Sequence, residues 1–141
     1  MNGQEHVLGI SRTDIITFGE LTGNNHEIHV TDEAAEAAGF PAQVVQGPFL
    51  LARAISTSSE VLRGPGIALL GVTWRYTGAV VRDQPMELHW EITGVRRTSA
   101  GNRGVAELTM RLESDGQRIG EGGFTVLVTE EFVDEFAQRP T

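Results

Sequence analysis

The chain has no cysteine and no lysine among its 141 residues. Without cysteine, disulfides and thiol catalysis are excluded. Without lysine, Schiff-base chemistry is excluded as well. All eleven basic residues are arginine, which reads most simply as codon bias. Any phosphate contact must therefore come from guanidinium groups or backbone N–H groups. No run of eighteen apolar residues occurs, so no transmembrane helix or membrane partner is expected. Met1-Asn2-Gly3-Gln4-Glu5-His6 has no basic region and no long apolar stretch, so it does not read as a signal peptide. A cytoplasmic location is the default expectation. The net charge of −8 builds no basic stripe and argues against a nucleic-acid partner.

What remains is ordinary globular material, 40 % apolar and 21 % charged, long enough to bury a real core as one domain. No internal repeat or dividing linker is found, so residues 1–141 read as a single domain. Its core spans about 8–128, and 130–141 form an acidic, weakly helical tail. Val7 to Ile10 are a candidate edge strand. Thr13 is the predicted N-cap of a helix with Ile15, Phe18 and Leu21 on one face and Gly23 just past its end. Thr31 caps a short helix from Asp32 to Ala38, closed by Gly39 and Pro41.

Gly47-Pro48 opens a third helix, with proline at a first-turn position where its missing N–H costs nothing. The body Phe49-Leu50-Leu51-Ala52-Arg53-Ala54-Ile55-Ser56 is apolar on most sides, as buried helices are. Beyond Arg63-Gly64-Pro65-Gly66 the period changes to two. Ala68, Leu70, Val72, Trp74 and Tyr76 alternate along one strand. Met86, Leu88, Trp90 and Ile92 alternate against Glu87, His89 and Glu91, and His89 reads as part of a solvated face. Ala106 to Leu112 repeat the pattern, Asp115-Gly116 signals a hairpin, and Gly123 to Val128 return. Trp74 and Trp90 read as packing residues, and Arg96, Arg97 and Arg103 as a solvated hairpin end. This is an α+β pattern whose curled antiparallel sheet needs a cover for its apolar concave face. The helix at 48–62 is the only segment apolar enough, which predicts a hotdog fold with the sheet wrapped around one central helix.

The chemistry-bearing stretch is Thr22-Gly23-Asn24-Asn25-His26-Glu27-Ile28-His29, followed by Val45-Gln46-Gly47-Pro48-Phe49-Leu50. A loop of this kind carries unpaired polar groups. Thr22-Gly23, Ile28-His29, Gly39-Phe40, Gln46-Gly47 and the strand Thr73-Trp74-Arg75-Tyr76-Thr77-Gly78-Ala79-Val80 together resemble the MaoC-like hydratase/dehydratase family. The likeness covers about residues 8–128. It implies action on an enoyl or 3-hydroxyacyl thioester of coenzyme A or an acyl carrier protein, without a cofactor. It also implies closure of the sheet by a homodimer, or by a heterodimer with another hotdog subunit.

The resemblance implies that His29 is the acid/base and that backbone near Gly47, within Gln46–Phe49, holds the thioester carbonyl at a helix N-terminus. Pro48 has no N–H to offer. The family's aspartate position holds Asn24, and a carboxamide orients water but accepts no proton at neutral pH. Losing one acid/base partner typically lowers a rate by about 10²–10⁴. His26 and Glu27 are accessory candidates for proton handling, and Arg53 for substrate selection. His26-Glu27-Ile28-His29 is not read as a metal site, since His-x-x-His off a helix lacks a clear third ligand. Two alternatives stand beside hydration. One is a non-hydrating reaction such as cyclisation or another conjugate addition or elimination in secondary metabolism. The other is a catalytically weakened subunit of a heteromeric hotdog dehydratase.

Overall fold

Asp115 and Gly116 take φ values of 52° and 74°, and Ser114 pairs with Gln117 across them. That is the two-residue hairpin whose twist matches the flanking strands. This computed structural model describes residues 1–140. Its elements run β1 (Asn2–Val7), α1 (Arg12–Thr22), a 3-10 turn (Glu27–His29), α2 (Asp32–Ala37), α3 (Gly47–Val61), β2 (Gly66–Tyr76), β3 (Met86–Arg97), β4 (Arg103–Ser114), β5 (Gln117–Thr129) and α4 (Glu130–Ala137).

The five strands form one antiparallel sheet in the order β1-β3-β4-β5-β2. Leu88, Trp90 and Ile92 of β3, Leu108, Met110 and Leu112 of β4, and Phe124 of β5 are buried on its inner face. Leu50 and Ala54 of α3 are buried in the same cluster, with Phe49, Leu51 and Ile55 packed against it. This is the predicted hotdog arrangement, a curled sheet around one apolar helix. The alternation of strand side chains makes one face apolar, and α3 offers an apolar stripe to cover it. No helix among the described residues is long and apolar enough to cross a membrane.

Several local expectations are corrected. The first strand lies at Asn2–Val7 rather than Val7–Ile10. Ser11, not Thr13, caps α1, its hydroxyl accepting from Asp14 N–H. Leu21 is 81 % exposed. Six residues at about 100° each carry it roughly 120° round the helix from Ile15, so the buried face continues through Gly19 instead. In β2 the register slips between Gly66 and Ala68 and between Leu69 and Gly71. Each bulge inserts one residue and moves the following ones to the other face, so Leu69, not Leu70, lies opposite Val126.

The acidic tail is helical, as the sequence suggests, and it also packs on the core. α4 is capped by Thr129, buries Phe132 and Val133 in the core, and receives Arg97 at Glu130 and Asp134. The core therefore runs past both bounds, 8 and 128, drawn from the sequence. Arg97 belongs to this helix contact and not to a free hairpin end.

Candidate active site

α1 stops where Gly23 enters the left-handed region at φ 79°, and the chain turns back along its own last turn. Gly19 permits that return. A Cβ there would stand 3.1 Å from the Asn24 carbonyl oxygen, 3.4 Å from Asn25 Cβ and 3.4 Å from Gln46 Nε2. Thr22 closes the turn, its hydroxyl donating to Phe18 O at 2.6 Å and accepting from Asn24 N–H at 3.2 Å. His26 caps the 3-10 turn, its Nδ1 accepting from Ile28 N–H.

The loop is then fastened to the stretch ahead of α3. Val44 N–H donates to Ile28 O at 3.0 Å, and Gln43 Nε2 donates to His29 O at 2.7 Å. Gln46 Nε2 donates to Ile15 O at 2.8 Å and Asn24 O at 3.3 Å. Both glutamines are fully buried. Gln43 N–H in turn donates to Asp32 Oδ1 at 2.9 Å, and Arg82 donates to both oxygens of Asp32. The Arg82 guanidinium, with the Gln43 N–H, holds the Asp32 carboxyl below its ordinary pKa.

His29 is half-buried, and its Nδ1 lies 2.7 Å from Val44 O. A carbonyl only accepts, so Nδ1 carries the proton there, and Nε2 of the neutral ring keeps its lone pair. Chemically this is an oriented base. His26 stands edge-on with its ring centroid 6.4 Å away. Glu27 is exposed, and among the described residues its carboxylate bonds to neither imidazole. Asn24 is half-buried; both its backbone groups are engaged, while its carboxamide has no hydrogen bond among the described residues.

The second half of the site is the start of α3. Phe49 and Leu50 N–H donate to Gln46 O at 3.0 and 3.1 Å, and no acceptor for the Gly47 N–H occurs among the described residues. A first-turn N–H left open this way is a natural donor to a developing anion. Phe49 stacks on Phe18 at 4.6 Å and joins α3 to α1. Two candidate side chains make contacts of their own. Gln46 spends its amide hydrogens on the backbone, as a clamp. Arg53 sits about 9 Å farther along the helix axis and lines a separate cleft with Met1, Glu5, His6 and Glu60.

Sequence reasoning did not single out Tyr76, whose ring lies against Gly47, or Gln43 and Asp32, which hold His29 from behind. Their signals are long-range. Nothing in the spacing of Asp32, Gln43 and Arg82 marks them as partners. On the outer face of the sheet, Glu87, His89 and Glu113 bring ligand-type atoms within 4.8 Å of one another. His89 Nε2 stands 2.6 Å from Glu87 and 3.3 Å from Glu113, and Arg111 Nε bonds Glu113 at 2.6 Å. These are cross-strand neighbours on one sheet face, where polar side chains commonly gather.

Comparison with known proteins agrees with the fold. The family model described as MaoC like domain matches residues 3–113. The (R)-hydratase PhaJ1 from Pseudomonas aeruginosa, unliganded, superposes with a TM-score of 0.77 at 21 % identity, covering 92 % of this chain and 81 % of that one. The (R)-hydratase from A. caviae involved in PHA biosynthesis gives 0.77 at 18 % identity, with 89 % and 92 % covered. The HadBC (3R-hydroxyacyl-ACP dehydratase) complex from Mycobacterium tuberculosis gives 0.77 at 17 %, with 90 % and 94 % covered. None of the curated proteins matches the chain.

Proposed function

Since the chain belongs to the MaoC-like domain family, we propose that it is a hydratase/dehydratase of enoyl or 3-hydroxyacyl thioesters, with His29 as acid/base. The observation that carries this reading is the 2.7 Å bond from His29 Nδ1 to Val44 O, which leaves Nε2 as a free base. In the hydration direction, water oxygen bonds to the β-carbon of the enoyl thioester while His29 Nε2 takes one of its protons. The π electrons move toward the thioester carbonyl, and the resulting enolate collects its proton at the α-carbon from the His29 imidazolium. One hydrogen and one hydroxyl are added, and no net proton is consumed. Dehydration is the reverse.

In this reading Asn24 orients the water through its carboxamide, and the Gly47 N–H donates to the carbonyl oxygen that gathers charge. Phe49 borders the acyl chain. The carrier of the thioester is coenzyme A or an acyl carrier protein. His26 is the nearer accessory candidate, since its ring faces His29 while Glu27 is turned to solvent.

A second copy or another hotdog subunit completes the particle in this proposal. Support comes from β2, an edge strand that exposes Ile67, Leu69, Leu70 and Val72. Unpaired, apolar sheet edges attract another strand.

The test is hydration of a short trans-2-enoyl-CoA, followed for the wild type, His29→Ala and Asn24→Asp in parallel. Turnover that His29→Ala abolishes and Asn24→Asp raises is the expected outcome. No turnover by any of the three proteins overturns the hydratase reading.

A further inference from the structure

The aromatic ring of Tyr76 crosses the first residue of α3 at close range. A Cβ on Gly47 would stand 3.1 Å from Tyr76 Cζ, 3.3 Å from Cε1 and 3.3 Å from the hydroxyl oxygen. A larger residue at 47 would press on the ring, and glycine lets it lie close. Strand β2 brings Tyr76 to this place on the inner face. Trp74 is edge-on to it at 6.4 Å and is stacked on Phe124, so the ring is braced from below. The hydroxyl has no hydrogen-bond partner among the described residues, and neither has the Gly47 N–H. Two unused donors of different origin therefore meet at one helix end.

Their separation is suited to a shared acceptor. Standard bond lengths put an ideal Cβ about 2.5 Å from its own backbone nitrogen. The 3.3 Å contact then bounds the distance from Tyr76 Oη to Gly47 N at about 5.8 Å, and one oxygen at about 2.9 Å from each reaches both. We propose that Tyr76 is a second hydrogen-bond donor to the thioester carbonyl, acting beside the Gly47 N–H. Tyr76 is 43 % exposed; desolvation of its covered part raises the phenol pKa, so the hydroxyl keeps its proton across the working pH range. Tyr76 transfers no proton in this role. It holds the carbonyl oxygen more tightly as that oxygen turns from ketone-like to enolate-like.

This inference rests on the thioester reading of the site, and the experiment separates the two. Tyr76→Phe keeps the ring against Gly47 and removes only the hydroxyl. The wild type and Tyr76→Phe are assayed for enoyl-CoA hydration. In parallel, the carbonyl stretch of bound, carbonyl-¹³C-labelled butyryl-CoA, which cannot be hydrated, is read by difference infrared spectroscopy. Removing one such donor typically lowers kcat by about 10²–10³; a loss of at least tenfold in kcat is expected, with KM and the pH profile little changed. The carbonyl band should move to higher frequency in Tyr76→Phe. An unchanged band and rate in Tyr76→Phe overturn the Tyr76 role while leaving the hydratase reading intact. A band that shifts in a protein without turnover overturns the hydratase reading but keeps Tyr76 as a carbonyl donor. Absence of any bound-carbonyl band in the wild type overturns both.

Discussion

At one edge of the sheet β1 turns Asn2, Gln4, Glu5 and His6 to solvent, while at the other β2 turns out Ile67, Leu69, Leu70 and Val72. Both strands end a ladder, and both carry unpaired backbone groups. Charged and polar side chains on β1 discourage further pairing, whereas the apolar β2 invites it. β2 also ends at Tyr76, whose ring lies against Gly47 of the candidate site. One edge of this sheet is polar, and the other is apolar and ends beside the start of α3.

The largest expected effect tests whether chemistry resides on the β2 side. His29→Ala should lower hydration by about 10²–10⁴, while His6→Ala on β1 leaves it unchanged. Steady-state kinetics on the two variants decide this, and equal losses would erase the distinction between the edges. Next comes assembly. Val72→Asp places a charge in the proposed contact and should weaken self-association by about 10²–10³ in Kd, while Gln4→Asp has no effect. Sedimentation velocity over a concentration series provides the measurement.

The two tryptophans extend the contrast to stability. Trp74 lies over Gly120 of β5 and Trp90 over Gly3 of β1, where an added Cβ would come within 2.7 and 2.5 Å of the indole Cζ2. Gly120→Ala overpacks an interior strand and should destabilise by about 1–3 kcal/mol. Gly3→Ala acts on a terminal strand that can shift, so less than about 1 kcal/mol is expected. Urea unfolding of both variants measures the difference, and the reverse order would contradict it.

The smallest effect depends on pH. Arg82 lowers the pKa of Asp32 beside the site, and Arg75 lowers that of Glu121 on the outer face. A depressed carboxyl pKa contributes stability in full above the unfolded value, which is 3.8 for Asp32. That contribution is lost as pH falls through the lower folded value. Thermal melts of Asp32→Asn and Glu121→Gln against the wild type should therefore converge with it in acid. At neutral pH only Asp32→Asn should also reduce activity, because Asp32 supports Gln43 and through it His29. A matching loss in Glu121→Gln would show that the network, not the Asp32 link, matters.

Much of the fold was legible because its signals are local. Period-two alternation marked β3 and β4, Asp115-Gly116 marked their hairpin neighbour, and Gly47-Pro48 marked the start of α3. Leu21 and Leu70 were misplaced for a shared reason. A short apolar pattern fits one face until helix drift or a bulge rotates it, and neither is visible in spacing. At the candidate site, His29, Asn24, Gln46, Gly47 and Phe49 were proposed by resemblance, but the clamp made by the Gln46 side chain was not visible in the sequence. A glutamine amide donates equally well to substrate or to backbone, and only the approach of Ile15 and Asn24 carbonyls selects the second.

The sequence by itself determined the class of fold, the helix that fills it, and the loop that carries the candidate site residues, because periodicity, capping and turn preferences act over a few residues. The tertiary structure alone decided which nitrogen of His29 is free, that Asp32 and Gln43 stand behind it, and that Tyr76 meets Gly47. Those facts depend on hydrogen bonds and ring contacts between segments far apart in the chain, and such contacts exist only once the sheet has closed around its helix.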